Sequence, residues 1–289
     1  MLTAEQIKEV KGLGFLNQKG TQCFNGRIIT GNGKITAEKM AIIAQAAEKF
    51  GDGEVTLTGR MTFEVQGVPY DSIQPLRAFL GEHGLETGGT GAKVRPIVSC
   101  KGTTCQYGLC DTFALSQQVH EKFYKGYETT KLPHKFKIAV GGCPNNCVKP
   151  DLNDVGIIGQ AKPVVDVEGC KGCKKCAVEI GCAMDAATLA DGKLVIDAAK
   201  CNNCGLCVKK CHFGAVSVEK SGYKVLIGGR WGKKAAVGKP LNALFDEAGA
   251  LDTVEKILCF YRDNGTPGER FADTITRIGF DNVEHEILK

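Results

Sequence analysis

Cysteine carries most of the chemistry this sequence can do: 15 of its 289 residues are cysteine. Eight of them stand in two runs, CKGCKKCAVEIGC from Cys170 to Cys182 and CNNCGLCVKKC from Cys201 to Cys211. The first run reads C-x2-C-x2-C-x5-C and the second C-x2-C-x2-C-x3-C. Three thiolates at this pitch wrap three irons of a cubane, and a turn of helix carries the fourth cysteine of each run to the other cluster. The spacing therefore assigns one 4Fe–4S cluster to Cys170, Cys173, Cys176 and Cys211, and a second to Cys201, Cys204, Cys207 and Cys182. A zinc module would use two separated C-x2-C pairs and would gain nothing from a third cysteine at the same pitch. Two clusters in series form a wire, and a wire implies a redox centre nearby.

A second cysteine zone lies upstream. VSCKGTTCQYGLCDT holds Cys100, Cys105 and Cys110, and GGCPNNC holds Cys143 and Cys147. Two cysteines from each segment suffice for one further cubane. Both upstream gaps are C-x4-C, so spacing alone leaves Cys105 and Cys110 competing for one place. Cys259 falls on the apolar face of a helix and reads as core, and Cys23 has no evident partner.

The rest of the composition is ordinary, with 43% apolar and 24% charged residues. No run approaches the ~18 apolar residues of a membrane-spanning helix. The N-terminus MLTAEQIKEVKGLGF lacks the apolar stretch of an export signal. A cytoplasmic, reducing setting is expected, where clustered cysteines bind metal rather than form disulfides. The net charge is +5, with lysines scattered rather than packed into a tract. That argues against nucleic acid and suits an acidic protein partner or a small anion. No G-x-G-x-x-G and no P-loop is present, so no nicotinamide or flavin site is evident.

Alternation of helix and strand patterns points to an α+β fold. ITAEKMAIIAQAAEKFG reads as a helix capped by Thr36 and ended by Gly51. EVTLTGRMTFEV reads as one strand with Arg60 on its polar face. Helices are expected around residues 72–83 and 112–123. LPHKFKIAVGG reads as a strand that places Lys135 and Lys137 on one side and Phe136, Ile138 and Val140 on the other. YKVLIGGRWG resumes a strand after the paired cysteine runs. LDTVEKILCFYRDN and PGERFADTITRIGF read as helices. The paired runs thus sit as an insertion within a larger domain.

Two resemblances emerge from these motifs. Residues 166–218 resemble a bacterial-type ferredoxin, without the proline that succeeds the fourth cysteine there and with a longer last gap in the first run. VSCKGTTCQYG, with GGCPNNC later in the chain, resembles the sirohaem-and-cluster motif of sulfite and nitrite reductases, where C-x5-C precedes C-x3-C; here the first gap is one residue shorter. QYG after Cys105 resembles the residues next to the family's second cysteine and favours Cys105 over Cys110. The resemblance covers about residues 19–279 and is to the compact, anaerobic-type sulfite reductases. It implies an N-terminal ferredoxin-like half domain over 1–90, a sirohaem and 4Fe–4S-binding domain over 91–165 and 219–289, and an inserted two-cluster ferredoxin domain over 166–218. It implies sirohaem and three 4Fe–4S clusters, with Cys147 bridging one cluster to the sirohaem iron beside Cys100, Cys105 and Cys143. It places Arg60, Arg95, Lys135 and Lys137 over the substrate anion, while Arg230 and Lys233 in GGRWGKK could reach sirohaem carboxylates.

The expected activity is six-electron reduction of sulfite to sulfide. Nitrite reduction to ammonia is the alternative substrate reading, and a non-catalytic electron-transfer subunit is the alternative from another class. Electrons would come from an external ferredoxin, flavodoxin or reductase subunit. A single catalytic repeat is also compatible with a homodimer.

Overall fold

Three separate apolar cores organise the chain in the computed structural model, which describes residues 2–289. The first belongs to the N-terminal segment. Its helices are α1 (Ala4–Gly12), α2 (Ala37–Phe50) and α3 (Ile73–Glu82). Its strands are β1 (Phe15–Asn17), β2 (Phe24–Ile28), β3 (Val55–Leu57) and β4 (Phe63–Val68), in the antiparallel order β1-β2-β4-β3. Thr36 caps α2 by accepting the Lys39 N–H, and Ile43, Ala46 and Ala47 are buried along one stripe. The helix ends at Gly51, whose N–H still bonds the Ala47 carbonyl, and only glycine fits there because a Cβ would lie 2.3 Å from the Gln66 carbonyl oxygen. Phe15, Phe24, Ile28, Val65 and Leu76 fill the space between sheet and helices.

The segment 54–65 is a hairpin, not the single strand its alternation suggested. β3 pairs with β4 from Val55↔Val65 to Leu57↔Phe63. The turn is tied by Thr58 N–H to Thr62 O at 2.9 Å and by the two threonine hydroxyls at 2.7 Å. Met61 takes a left-handed φ of 55° to close it. The alternation continued across the turn, so it could not reveal the reversal. Consequently Leu57 is 73% exposed, and Arg60 sits at the hairpin tip instead of on a strand face.

The second core is built on the mixed sheet β11-β10-β7-β6-β5. Its strands are β5 (Val98–Ser99), β6 (Ile138–Gly141), β7 (Val155–Val165), β10 (Val216–Ile227) and β11 (Lys239–Pro240). β5, β6 and β7 run parallel, whereas β7 with β10 and β10 with β11 are antiparallel. The helices α4 (Thr112–Val119), α7 (Glu247–Asn264), α8 (Phe271–Ile278) and α9 (Phe280–Leu288) share this core. Phe136, Tyr261 and Phe271 meet at its centre with ring centroids 5.2–5.7 Å apart. After Val119 the helix continues as a π-helix over His120–Lys125.

The third core is small and lies between β7 and β10. These strands pair from Val155↔Ile227 out to Val165↔Val216. Where a hairpin would have a turn, the chain inserts α5 (Ala177–Ile180), β8 (Ala187–Ala190), β9 (Lys193–Ile196) and α6 (Leu206–Lys210). Cys176, Val178, Ala187, Leu194 and Val216 form its centre.

Candidate functional site

Arg60 reaches from the hairpin tip into the second domain. Its Nε donates to the Pro96 carbonyl at 3.1 Å, its Nη1 to Asn153 Oδ1 at 2.7 Å and its Nη2 to the Ile138 carbonyl at 3.3 Å. The Asn153 amide is fixed in turn by donating to the Lys149 carbonyl at 2.8 Å. Arg60 therefore joins the residue after Arg95 to the residue after Lys137. Burial, opposed by Asp154 and reinforced by Arg95, holds its guanidinium below the ordinary arginine range. Arg60, Lys137, Asn153 and Trp231 line an open cleft of about 340 Å³, together with Val98 and Val148.

Arg95 donates to the Gly89 carbonyl at 2.6 Å, and its buried Nε has no partner among the described residues. Burial and then the charges of Arg27 and Arg270 push it down to about 10. Lys135 and Lys137 flank the fully buried Phe136, which bridges to Val94, so the alternation holds although β6 begins only at Ile138. Burial and then Arg270 lower Lys135. Burial, then Arg60 and Arg270, push Lys137 down to about 8. Arg95 and Lys135 do not line the cleft itself; they join its electrostatics through Arg60 and Arg270.

Two residues of this site escaped the sequence reading. Asp154 is fully buried, accepts the Lys137 N–H at 2.9 Å and pairs with Arg270 Nη2 at 3.1 Å. Burial raises its carboxyl, and the adjacent Arg270 pulls it back. Four cations, Arg60, Lys135, Lys137 and Arg270, thus feel one carboxylate, and Arg95 adds a fifth positive charge beside Arg60 and Arg270. Arg27 is separately neutralised by Glu64 at 2.6 Å. Such an excess favours a bound anion. Neither Asp154 nor Arg270 lies in a recognisable motif, so only the fold could pair them.

The thiols adjoin the cleft, since Val148 is next to Cys147 and Val98 lies just before Cys100. Cys100 Sγ accepts the Gly142 N–H at 3.1 Å. Gly142 must be glycine: a Cβ there would lie 2.8 Å from Gly102 Cα and 3.4 Å from Cys100 Sγ. Burial raises the Cys143 thiol, which also feels Cys100, Cys147 and Cys105. Cys110 packs into the second core, with Sγ 4.0 Å from the Gly142 carbonyl, and burial pushes it up to about 12. Cys147 is exposed. The all-thiolate set with a backbone N–H already aimed at one sulfur fits a 4Fe–4S cluster. Among the described residues no three His, Cys, Asp or Glu side chains converge on a single-ion site.

In the inserted module, Cys182, Cys201, Cys204 and Cys207 all line one cavity of about 80 Å³. Cys170, Cys176 and Cys211 pack into the module's core, and Cys170 Sγ accepts the Leu194 N–H at 3.4 Å. Cys173 lies between them and is partly exposed. A short helix leads to the fourth cysteine of each run: α5 follows Cys176 and precedes Cys182, and α6 contains Cys207 and precedes Cys211. Arg230 stands apart from the cleft: it pairs with Asp273 at 2.8 Å and donates to the Lys234 carbonyl. Lys233 is exposed. His134 is half-buried, and its Nδ1 accepts the Lys135 N–H at 2.7 Å. Cys259 is partly buried, 3.8 Å from the Tyr127 hydroxyl, and Cys23 lies just before β2.

Clustered thiols beside a cationic cleft are features of an iron–sulfur oxidoreductase. Residues 90–289 match the family model described as the nitrite and sulphite reductase 4Fe-4S domain. Residues 17–83 match the nitrite/sulfite reductase ferredoxin-like half domain. The chain belongs to the nitrite and sulfite reductase family. It is 31% identical over 265 residues to an uncharacterised protein of Methanocaldococcus jannaschii, covering 92% of this chain and 91% of the relative. It is 32% identical over 254 residues to the coenzyme F420-dependent sulfite reductase of the same organism, covering 86% of this chain but only 40% of that larger protein. The crystal structure of a dissimilatory sulfite reductase superposes with a TM-score of 0.74 at 21% identity, over 92% of this chain and 69% of that one, which establishes the shared fold. Among the described residues no helix is long and apolar enough to cross a membrane.

Proposed function

We propose that the chain is a sirohaem sulfite reductase that reduces sulfite to sulfide with six electrons in the cytoplasm. The observation that carries this reading is the cleft where Arg60 and Lys137 meet against one buried carboxylate, directly beside the GGCPNNC thiols. Cys100, Cys105, Cys143 and Cys147 would hold one 4Fe–4S cluster, and Cys147 would join it to sirohaem. When bound, sirohaem would supply a metal to hold the sulfur of sulfite and a path for electrons.

The protein's own groups do the remaining work. Arg60 and Arg95 neutralise the oxyanion, and the guanidinium of Arg60 is held in place by two carbonyls and Asn153. Lys137 donates a hydrogen bond to the same oxygens, and Lys135 adds its charge from beside Arg270. Lys137, pushed down to about 8, is poised to give up a proton near neutral pH as an S–O bond breaks and water departs. The eight cysteines of the module would hold two further clusters that feed the first.

The test is anaerobic purification, then an absorption spectrum and an assay of sulfide release from sulfite with reduced methyl viologen. An isobacteriochlorin spectrum and stoichiometric sulfide are expected. A spectrum with iron–sulfur absorption alone would instead make the chain an electron-transfer subunit. A higher kcat/KM for nitrite than for sulfite would reassign the substrate.

A further inference from the structure

We propose that electrons enter at the cluster site of Cys170, Cys173, Cys176 and Cys211, from an acidic electron-carrier protein that docks on the lysines of the CKGCKKC loop. The proposal rests on reading the module as a two-cluster wire. It adds the direction of that wire and the chemistry of its partner.

Strand β7 orders the three cysteine sets. At Gly159 it touches GGCPNNC, since an added Cβ would lie 2.7 Å from the Gly142 carbonyl oxygen and 2.9 Å from Cys110 Sγ. Two residues on, Ala161 N–H donates to the Asn203 carbonyl at 2.8 Å, and Ala161 bridges to Cys204. A Cβ on Gly205 would meet the Ala161 Cβ at 2.9 Å. Asn145, from within GGCPNNC, lines the same cavity as Cys182, Cys201, Cys204 and Cys207. That set is therefore the one that faces the substrate domain. Cys170 belongs to the other end: its N–H donates to Asp166, which adjoins the last residue of β7. Ala161 and Val165 are about 13 Å apart at the usual strand rise.

The two loops differ in charge as they differ in position. The inner loop, CNNCGLC, carries no charged residue and packs on β7. The outer loop, CKGCKKC, carries Lys171, Lys174 and Lys175, all exposed. Lys209, also exposed, lies two residues before the outer ligand Cys211, and Phe213 just beyond it is 61% exposed. Among the described residues these four lysines make no ion pair, whereas Lys162 on β7 pairs with Glu219 at 2.8 Å. The acidic residues of the module are Asp166, Glu168, Glu179, Asp185, Asp191 and Asp197; Asp166 accepts the N–H groups of Glu168 and Gly169, Glu179 that of Leu189 and Asp197 that of Ala199. An unpaired lysine collar with one exposed aromatic matches an acidic partner with an apolar contact at its centre. The step is a one-electron transfer: the carrier is oxidised by one electron, the outer cluster is reduced by one, and no bond is made or broken.

The experiment uses the cluster-loaded protein under anaerobic conditions and monitors cluster bleaching by stopped flow. Two reductants are compared: a reduced two-cluster bacterial ferredoxin of net negative charge, and the methyl viologen radical cation. The wild-type rate with ferredoxin should fall steeply with salt. The triple variant Lys171→Glu, Lys174→Glu, Lys175→Glu should lose at least about tenfold in ferredoxin-driven rate at low salt and should not slow with methyl viologen. The triple Lys→Gln variant should lose less and serves if the Glu variant fails to load iron. A salt-independent rate, an unchanged rate in both variants, or equal slowing with both reductants would overturn the proposal. Equal slowing would mean that the lysines set only the cluster potential. None of these readouts requires sulfite, so failure of the sulfite reductase reading would appear separately, as bleaching without sulfide release.

Discussion

Lys137 offers the sharpest quantitative test of the cationic cleft. Its ammonium is pushed from 10.5 to about 8, first by burial and then by Arg60 and Arg270. At ~1.36 kcal/mol per pH unit the depression amounts to about 3 kcal/mol, and partial solvent screening of a half-buried group reduces the usable figure to roughly 1–2 kcal/mol. The sign comes from proton counting. Between about 8 and 10.5 the unfolded chain holds this proton and the folded chain does not, so stability rises with pH across that window. Below about 8 the full penalty is present, and a bound anion offsets it. Anion affinity must therefore fall as pH rises through about 8. Nitrite is the right probe because it stays ionised throughout, whereas sulfite gains and loses a proton near neutrality. Spectral titration of the loaded, oxidised protein should give a Kd that is flat below pH ~8 and rises by up to about tenfold per pH unit above it. Lys137→Met should weaken nitrite binding by roughly 10–100-fold at about pH 7, the equivalent of ~1.5–3 kcal/mol for a hydrogen bond to a charged group, and should abolish the pH step. A pH step that persists in Lys137→Met, or a wild-type Kd that ignores pH, would refute the assignment of the charge to this lysine.

Two further outcomes rest on the same geometry. Asp154→Asn leaves Arg270 buried without its partner, and should cost about 3–5 kcal/mol, seen as a lower unfolding temperature of the loaded protein. Cys105→Ser should lose one cluster, about four irons per chain, while Cys110→Ser should keep full iron and acid-labile sulfide; the reverse pattern would exchange the two cysteines.

Cysteine sets could be proposed from the sequence because cluster ligation is a local spacing rule, written within about a dozen residues for each run of the module; the fold brings Cys182, Cys201, Cys204 and Cys207 to one cavity. The lysine pair was legible for a similar reason: Phe136 and Ile138 had to be buried, and alternation then fixed the side of Lys135 and Lys137. Arg60 was located by its motif, but its element was misread. Thr58 through Met61 continue the polar–apolar alternation while the backbone reverses, with a positive φ at Met61 that the residue type does not announce. The Asp154–Arg270 pair was invisible because its members are 116 residues apart. Each looks like an ordinary surface charge until the starts of β7 and α8 bring them together.

That pair also explains how the cleft keeps its positive field. Among the described residues four of the five cations have no carboxylate of their own: Arg60 is held by carbonyls and an amide, and Arg95 by one carbonyl, with its Nε unpartnered. Neutral acceptors orient these groups without cancelling their charge. Asp154 is engaged by Arg270 and by the Lys137 backbone N–H, both on the side that anchors the strand. A second carboxylate at the cleft would stabilise the free protein and would neutralise the field that recruits the anion. The chain instead keeps the charge excess, with Lys137 closest to releasing its proton. The lysine most strained by that excess is then also the group best able to deliver a proton once the anion is bound.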